Sequence, residues 1–552
     1  MVCSSEKKHY DVIIIGGGIT GAGTARDCAM RGLKTLLVER FDFTAGATGR
    51  NHGLLHSGAR YAVTDKESAA ECIGENMILR RIARHCVEDT QGLFVTLPED
   101  DLGYQKRFVE SCIASGIKAE VIDPAEARIL EPSVNPAIIG AVRVPDGAVD
   151  PFRLTVSNII DAVRHGADVL TFHEVESLIV GNGKVSGVRM LDKRTKRSVS
   201  AYSDVVINAA GIWGHLIAKK AGITINMFPA KGALLIFGHR INNMVINRCR
   251  KPADADILVP GDTISLIGTT SSRVSYDEID EMRATRQEVD LLLREGSQIA
   301  PSLATTRIIR AYAGVRPLVA ADNDPSGRSI SRGIICLDHA VRDGLEGFIT
   351  ITGGKLMTYR LMAEKATDMT CAKLCCNEVC RTAQSVLPGS DSVAEPKEKG
   401  KGCRLAPDQI NVMRAVHGRH GSLSGNVVYR NEADRTVVCE CEQVSVGEIH
   451  YAMTELHADC LASLRRRTRL GMGTCQGELC ACRAAAVMAA LGRNPLSVMY
   501  DLKNFISERW KGMEAVCWGE TLAEAQFMQW LYVGVCGIDR IGMLSDSKQT
   551  VL

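Results

Sequence analysis

The chain has 552 residues, 45% of them apolar and 24% charged, with a formal net charge of +2. That length exceeds what a single hydrophobic core usually organises and points to two or more domains. The near-neutral balance argues against a basic stripe, so no nucleic-acid partner is expected.

The first ten residues, Met1 to Tyr10, are polar and lack an apolar h-region, so no secretory signal is read there. No window approaches 18 uninterrupted apolar residues, so no bilayer span is expected. The twenty cysteines then read as thiols or metal ligands rather than a disulfide framework.

Asp11-Val-Ile-Ile-Ile15 is a buried strand by its β-branched run. Gly16-x-Gly18-x-x-Gly21 follows, then a helix whose Ala22, Ala25 and Ala29 keep one face small. A second strand, Thr35–Val38, ends in Glu39. This is a dinucleotide fingerprint: glycines let the backbone turn and approach a pyrophosphate at a helix N-terminus, and Glu39 is placed to accept hydrogen bonds from ribose hydroxyls. Taken alone it serves NAD and FAD equally. Arg40 and Thr48 are further expected cofactor contacts. Thr48 sits in the small-residue loop Thr44–Gly53, which would let backbone approach a bound cofactor closely.

Three cationic motifs follow: His56-Ser-Gly-Ala-Arg60-Tyr61, Gly314-Val-Arg316-Pro317 and Gly354-Lys355-Leu-Met-Thr-Tyr359-Arg360. Cations beside a bound dinucleotide suggest an anionic substrate, and residue types alone do not choose carboxylate over phosphate. Strands alternate with helices to about residue 370, as in an α/β domain. Cys371, Cys375, Cys376 and Cys380 have helical spacing and read as plain thiols. Pro388 to Lys401 is a breaker-rich linker.

Beyond it, Cys439-x-Cys441 and Cys475-x4-Cys480 supply four thiolates, as an iron–sulfur centre requires. Zinc or free thiols are the alternative, and two Cys-x2-Cys knuckles would suit zinc better. Gly471 and Gly473 would let backbone wrap the sulfurs. Arg465-Arg-Arg-Thr-Arg469 is open to three readings: docking a partner, capping a cluster's charge, or facing solvent. Trp510, Trp518 and Trp530 lie in the last stretch, which suits either docking or packing on the chain's own cysteine module.

Asp204–Trp213 and Phe348–Lys355 resemble the returning strand and the C-terminal flavin contact of the glycine-oxidase/D-amino-acid-oxidase class. That likeness implies FAD, bound through Ala210, Gly211, Gly353 and Gly354 as well. It also implies an α/β fold: a discontinuous Rossmann-like FAD-binding domain with an inserted α+β substrate domain, plus a small C-terminal cysteine-ligated cluster domain. Residues 11–370 resemble the flavin-dependent glycerol-3-phosphate dehydrogenases through Ala47–Tyr61, Val144–Phe152, Gly314–Leu318 and Thr352–Arg360. The whole chain is similar to their bacterial anaerobic branch.

The resemblance implies oxidation of sn-glycerol 3-phosphate, with Arg60, Tyr61, Arg316, Arg332 and Lys355 as substrate contacts. One departure stands out: aerobic relatives carry a histidine after a Lys-Gly-Ser segment, whereas this chain has Lys231-Gly-Ala-Leu234. That leaves His52 and His56 as candidate bases. An amino-acid or 2-hydroxy-acid dehydrogenase on the same fold is the alternative activity. A redox-sensing protein with a vestigial pocket is the non-catalytic one.

The cysteine spacing is similar to bacterioferritin-associated-ferredoxin-like [2Fe-2S] domains. The domains implied are 1–385 for the oxidoreductase, 386–434 for the linker, 435–495 for the cluster and 496–552 for a tail. The partners implied are a second flavoprotein subunit with FMN, a membrane-associated iron–sulfur subunit, and quinone as acceptor. The expected location is cytoplasmic, peripheral on the inner membrane.

Overall fold

A computed structural model describes residues 8–319, 333–391, 407–427 and 429–540. The expected strand–turn–helix–strand unit is β1 (His9–Ile15), α1 (Ile19–Met30) and β2 (Thr35–Val38). Val12, Ile13 and Ile14 are wholly buried, which is why this strand carries an unbroken β-branched run rather than an alternating one. Each such side chain contributes roughly 1.5–3 kcal/mol on leaving water.

The chain continues through α2 (Pro151–Arg164), β3 (Asp168–Leu170) and β4 (Ser198–Asn208). It passes into a second sheet, to which Gly92–Thr96, Glu120–Ile122 and Gly140–Val144 already contribute, and which gains β5 (Met227–Phe237) and, last, β6 (Ile308–Val319). It returns as β7 (Ile334–Asp338), β8 (Phe348–Gly353) and α3 (Tyr359–Leu374). β8, β4, β1, β2 and β3 lie side by side and parallel, with β7 antiparallel on the edge. α1 packs between α2 and α3 on one face. This is a Rossmann-like layer assembled from separated pieces of chain.

The inserted sheet has nine strands among the described residues and is largely antiparallel. β5 and β6 pair over nearly their whole length, Met227 opposite Val319 and Leu235 opposite Ala311. Alternation along β6 turns Arg310, Tyr312, Gly314 and Arg316 to one face. That strand therefore lays two of the chain's arginines along a single wall.

The C-terminal part is a short ribbon, Val437–Cys439 against Val444–Ser445, followed by α4 (Val446–Glu455), α5 (Leu461–Thr468), α6 (Cys480–Ala490) and α7 (Pro495–Met513). One apolar core takes in buried residues from Val412 to Ile538, including Phe505 and Tyr532, and Val156 of α2 joins it. The buried half of the C-terminal stretch thus packs on the chain's own cysteine module. Phe527 and Trp530 remain more than half exposed. Among the described residues no helix is long and apolar enough to cross a membrane.

The arginine run turns inward rather than to solvent. Arg467 Nη2 donates to Asp42 Oδ1 at 2.6 Å and Arg466 Nη1 to Asp42 Oδ2 at 2.8 Å. Arg469 Nε reaches Glu442 at 2.8 Å and sits 3.5 Å from Asp262. Asp42 follows the dinucleotide strand β2, so these bonds clasp the cysteine module onto the FAD-binding layer.

Candidate active site

The glycine turn is held by close packing. A Cβ on Gly21 would lie 1.9 Å from the Gly16 carbonyl oxygen, and one on Gly16, where φ is +116°, would lie 2.6 Å from that of Ala209. No larger side chain fits either position. Gly18 leads into α1 without a side-chain cap, and no acidic residue stands in the first turn. Instead Ile19 N–H donates to Thr48 Oγ1 at 3.1 Å. The positive end of α1 thus opens, beside Thr48, onto a cleft.

Glu39 ends β2 as expected. Its carboxylate accepts from Gly17 N–H at 2.6 Å and Phe41 N–H at 2.8 Å. Burial raises its pKa, and those two N–H groups work against the rise. Arg40 is paired with Asp280 and stacks over Trp213, 4.6 Å from its ring centre.

The cleft is a cavity of about 1550 Å³ whose wall includes Gly16, Gly18, Glu39, Arg40 and Thr48, then Ala210, Gly211, Gly353 and Gly354. That volume exceeds the ~300–1,000 Å³ of an ordinary small-ligand pocket. An open helix N-terminus, a close-packed glycine turn and a carboxylate at the next strand end fit an extended dinucleotide, and FAD matches those requirements.

The same cavity is lined by His52, His56, Arg60, Tyr61, Arg316 and Lys355. His56 is buried, 5.8 Å from the His52 ring and 5.5 Å from that of Tyr61, and Lys355 Nζ lies 4.6 Å over Tyr61. Arg60 Nη2 binds Asp256 at 3.1 Å, while its buried Nη1 has no hydrogen-bond partner. Arg316 donates to Ser271 Oγ at 3.2 Å and the Thr270 carbonyl at 3.0 Å. A Cβ on Gly232 would meet Arg316 Nη2 at 2.5 Å, so the glycine after Lys231 makes room for the guanidinium. Lys231 pairs with Glu288 at 2.8 Å, and Leu234 on the same strand is buried. Arg332 lies outside the described residues.

Several quoted motif residues turn out to be supports. Asp146 accepts from Ser57 N–H at 2.6 Å and Ser57 Oγ at 2.7 Å, pinning the segment that carries His56 and Arg60. Asp150 caps α2. Arg360 turns away from the cavity into a buried pair with Glu75 at 2.6 Å. Spacing does not distinguish such supports from cavity-lining residues.

At its far end the cavity reaches Cys441 and Arg465. The four spaced cysteines lie as two pairs. Cys441 and Cys475 sulfurs are 3.9 Å apart. The Cys480 thiol hydrogen-bonds Cys439, which against burial and with help from the Gly471 and Glu442 N–H groups is brought down to about 7. A Cβ on Gly473 would lie 2.3 Å from Cys441 Cβ. Among the described residues no group of three or more His, Cys, Asp or Glu side chains is gathered for a single metal ion. All described cysteines are free of disulfides.

The FAD dependent oxidoreductase family matches residues 11–360. The chain is 60% identical over 536 residues to the anaerobic glycerol-3-phosphate dehydrogenase A-subunit of Escherichia coli K12, covering 97% of this chain and 98% of that one. It is 59% identical to the protein of the same name from Haemophilus influenzae, over 98% of this chain and 95% of the relative. In fold it is similar to glycerol-3-phosphate dehydrogenase from Bacillus halodurans complexed with FAD. There the TM-score is 0.68 at 23% identity, over 93% of this chain and 97% of the other. Glycine oxidase from Geobacillus kaustophilus overlays 66% of the chain and 95% of its own length, with TM-score 0.54 and 18% identity. With its glycine turn, its interleaved sheets and near-full-length identity of this order, the chain belongs to the anaerobic glycerol-3-phosphate dehydrogenase A-subunit family of FAD-dependent oxidoreductases.

Proposed function

We propose that the chain oxidises the secondary alcohol of sn-glycerol 3-phosphate to dihydroxyacetone phosphate. The observation that carries this reading is one cavity in which the dinucleotide turn and the cations Arg60, Arg316 and Lys355 face a common space. FAD, when bound, supplies the acceptor that takes the C2 hydrogen with its electron pair. Arg316, Arg60 and Lys355 bind the phosphate of the substrate, and Tyr61 backs Lys355. Arg332 completes this set by family resemblance. His52 or His56 takes the hydroxyl proton as the carbonyl forms, Leu234 being unable to do so. The residues orient C2 and fix the phosphate.

Cys439 with Cys480, and Cys441 with Cys475, would hold a [2Fe-2S] cluster. Two thiolate pairs suit a two-iron centre better than one tetrahedral ion. The cluster would supply a one-electron acceptor. Electrons then pass to partner subunits: the relatives are named as one subunit of their enzyme, which supports a multi-subunit assembly. A second flavoprotein subunit with FMN, a membrane-associated iron–sulfur subunit, and quinone follow from the family resemblance. The same resemblance supports a cytoplasmic location, peripheral on the membrane through partner subunits.

The visible spectrum of the purified chain before and after anaerobic glycerol 3-phosphate tests the reading. Flavin bands should bleach within the mixing time, leaving brown cluster absorbance. Bleaching by proline, glycine or lactate instead would transfer the activity to the amino-acid or hydroxy-acid class.

A further inference from the structure

The cavity continues past the substrate cations to the junction with the cysteine module, and a second group of guanidiniums lines it there. Arg310 lies six residues before Arg316 on the same face of β6, about 20 Å along the strand. It is buried; its Nη2 donates to the Glu508 carbonyl at 3.0 Å and its Nη1 has no hydrogen-bond partner. It packs on Gly512 of α7, where a Cβ would lie 2.8 Å from Nε. Arg465 of α5 reaches Gln476 Oε1 at 3.3 Å and lies over Phe505, 5.9 Å from the ring centre. The third is Arg50, whose carbonyl oxygen would lie 2.7 Å from a Cβ on Gly314 of β6.

None of the three has an acidic hydrogen-bond partner among the described residues. Glu508 is the carboxylate whose field reaches all of them. It is more than half exposed and shared with Lys511 at 3.5 Å. Burial first, and then neighbouring guanidiniums, press on Arg310 and Arg465: Arg310 feels Arg50, and Arg465 feels Arg310 and Arg466. Like charges confined this way against a cavity wall call for an anion. A phosphate dianion presents three oxygens to which guanidinium forks are complementary.

We propose that Arg50, Arg310 and Arg465 form a second anion site, separate from the substrate cations, that holds the phosphate of a phosphomonoester in transit along the cavity. The proposal rests on the reading of the substrate as a phosphomonoester. Substrate or product would occupy the site on the way between solvent and the reacting position.

Equilibrium dialysis of the FAD-loaded chain against labelled inorganic phosphate tests it. Two phosphates should bind per chain, both displaced by dihydroxyacetone phosphate. Arg310→Gln should weaken one of them at least tenfold and leave the other, and Arg50→Gln should act on that same one should Arg310→Gln fail to fold. Arg316→Ala should remove the other. One phosphate per chain, untouched by Arg310→Gln and Arg50→Gln but lost in Arg316→Ala and displaced by dihydroxyacetone phosphate, overturns the second site and leaves the proposed function standing. Two phosphates that only free phosphate displaces, and dihydroxyacetone phosphate does not, overturn both.

Discussion

Asp42→Asn tests how the cysteine module is held to the FAD-binding layer. The Asp42 and Arg467 side chains are 2% and 0% exposed, and Arg466 is 23% exposed. Burial alone would raise the Asp42 carboxyl, but Arg467 and Arg466 together hold it below the usual range. Asparagine keeps the shape and one acceptor while leaving Arg467 buried without its counter-charge. Removing one partner of a buried pair costs about 3–5 kcal/mol.

Trp510, Trp518 and Trp530 all lie in the C-terminal part, and Trp213 alone lies in the flavin layer. Tryptophan fluorescence in a urea titration therefore follows mainly the module, while flavin fluorescence follows the cleft. With a urea dependence of about 2 kcal/mol/M, the tryptophan midpoint should fall by about 2 M. The flavin midpoint should move less. Arg466→Gln should cost only about 1 kcal/mol, because its partly exposed head is screened. A tryptophan midpoint unmoved by Asp42→Asn would refute the clasp as a source of docking energy.

Gly21→Ala should purify with little flavin, because its methyl would overlap the Gly16 carbonyl at 1.9 Å; full 450 nm absorbance would contradict this. Arg316→Ala should lower kcat/KM for glycerol 3-phosphate at least a hundredfold, about 3 kcal/mol, and unchanged kinetics would remove it from the pocket. Gly473→Ala should lose iron and labile sulfide while keeping FAD, since its Cβ would press on Cys441 at 2.3 Å; wild-type iron content would rule against the wrap around the sulfurs.

Asp262 supplies a pH test. Burial would raise its carboxyl, but Arg153 and Arg469 outweigh that and bring it down to about 2 from the ordinary 3.8. A depressed carboxyl contributes stability that is complete above its unfolded value and disappears as pH falls through the folded one. The shift corresponds to about 2 kcal/mol, and for a side chain 40% exposed screening reduces this to about 1 kcal/mol. The penalty of Asp262→Asn in urea should therefore be full at pH 5 and shrink towards zero near pH 2; a constant penalty would show that the charge plays no part.

Features confined to a few consecutive residues are legible in the chain order itself. The strand run at 11–15, the turn of Gly16, Gly18 and Gly21 and Glu39 at the next strand end follow from local pattern. The split FAD-binding layer and the set of Arg60, Tyr61, Lys355 and Arg316, which line one cavity, are legible through motifs that the family resemblance carries. Features built across long separations leave no such trace. Asp42 and Arg467 stand 425 residues apart, and an isolated aspartate beside a strand carries no mark of a distant arginine. The arginine run is equally compatible with solvent, a partner or a cluster until α5 turns it onto the FAD-binding layer. Likewise Arg360 and Arg316 sit in similarly conspicuous motifs, yet one is neutralised in the core by Glu75 and the other lines the cavity. Local backbone preference and periodicity belong to neighbouring residues, and the chain order records them directly. Which charges meet, and which are left facing a cavity, depends on how distant segments pack, and that exists only once the chain has folded.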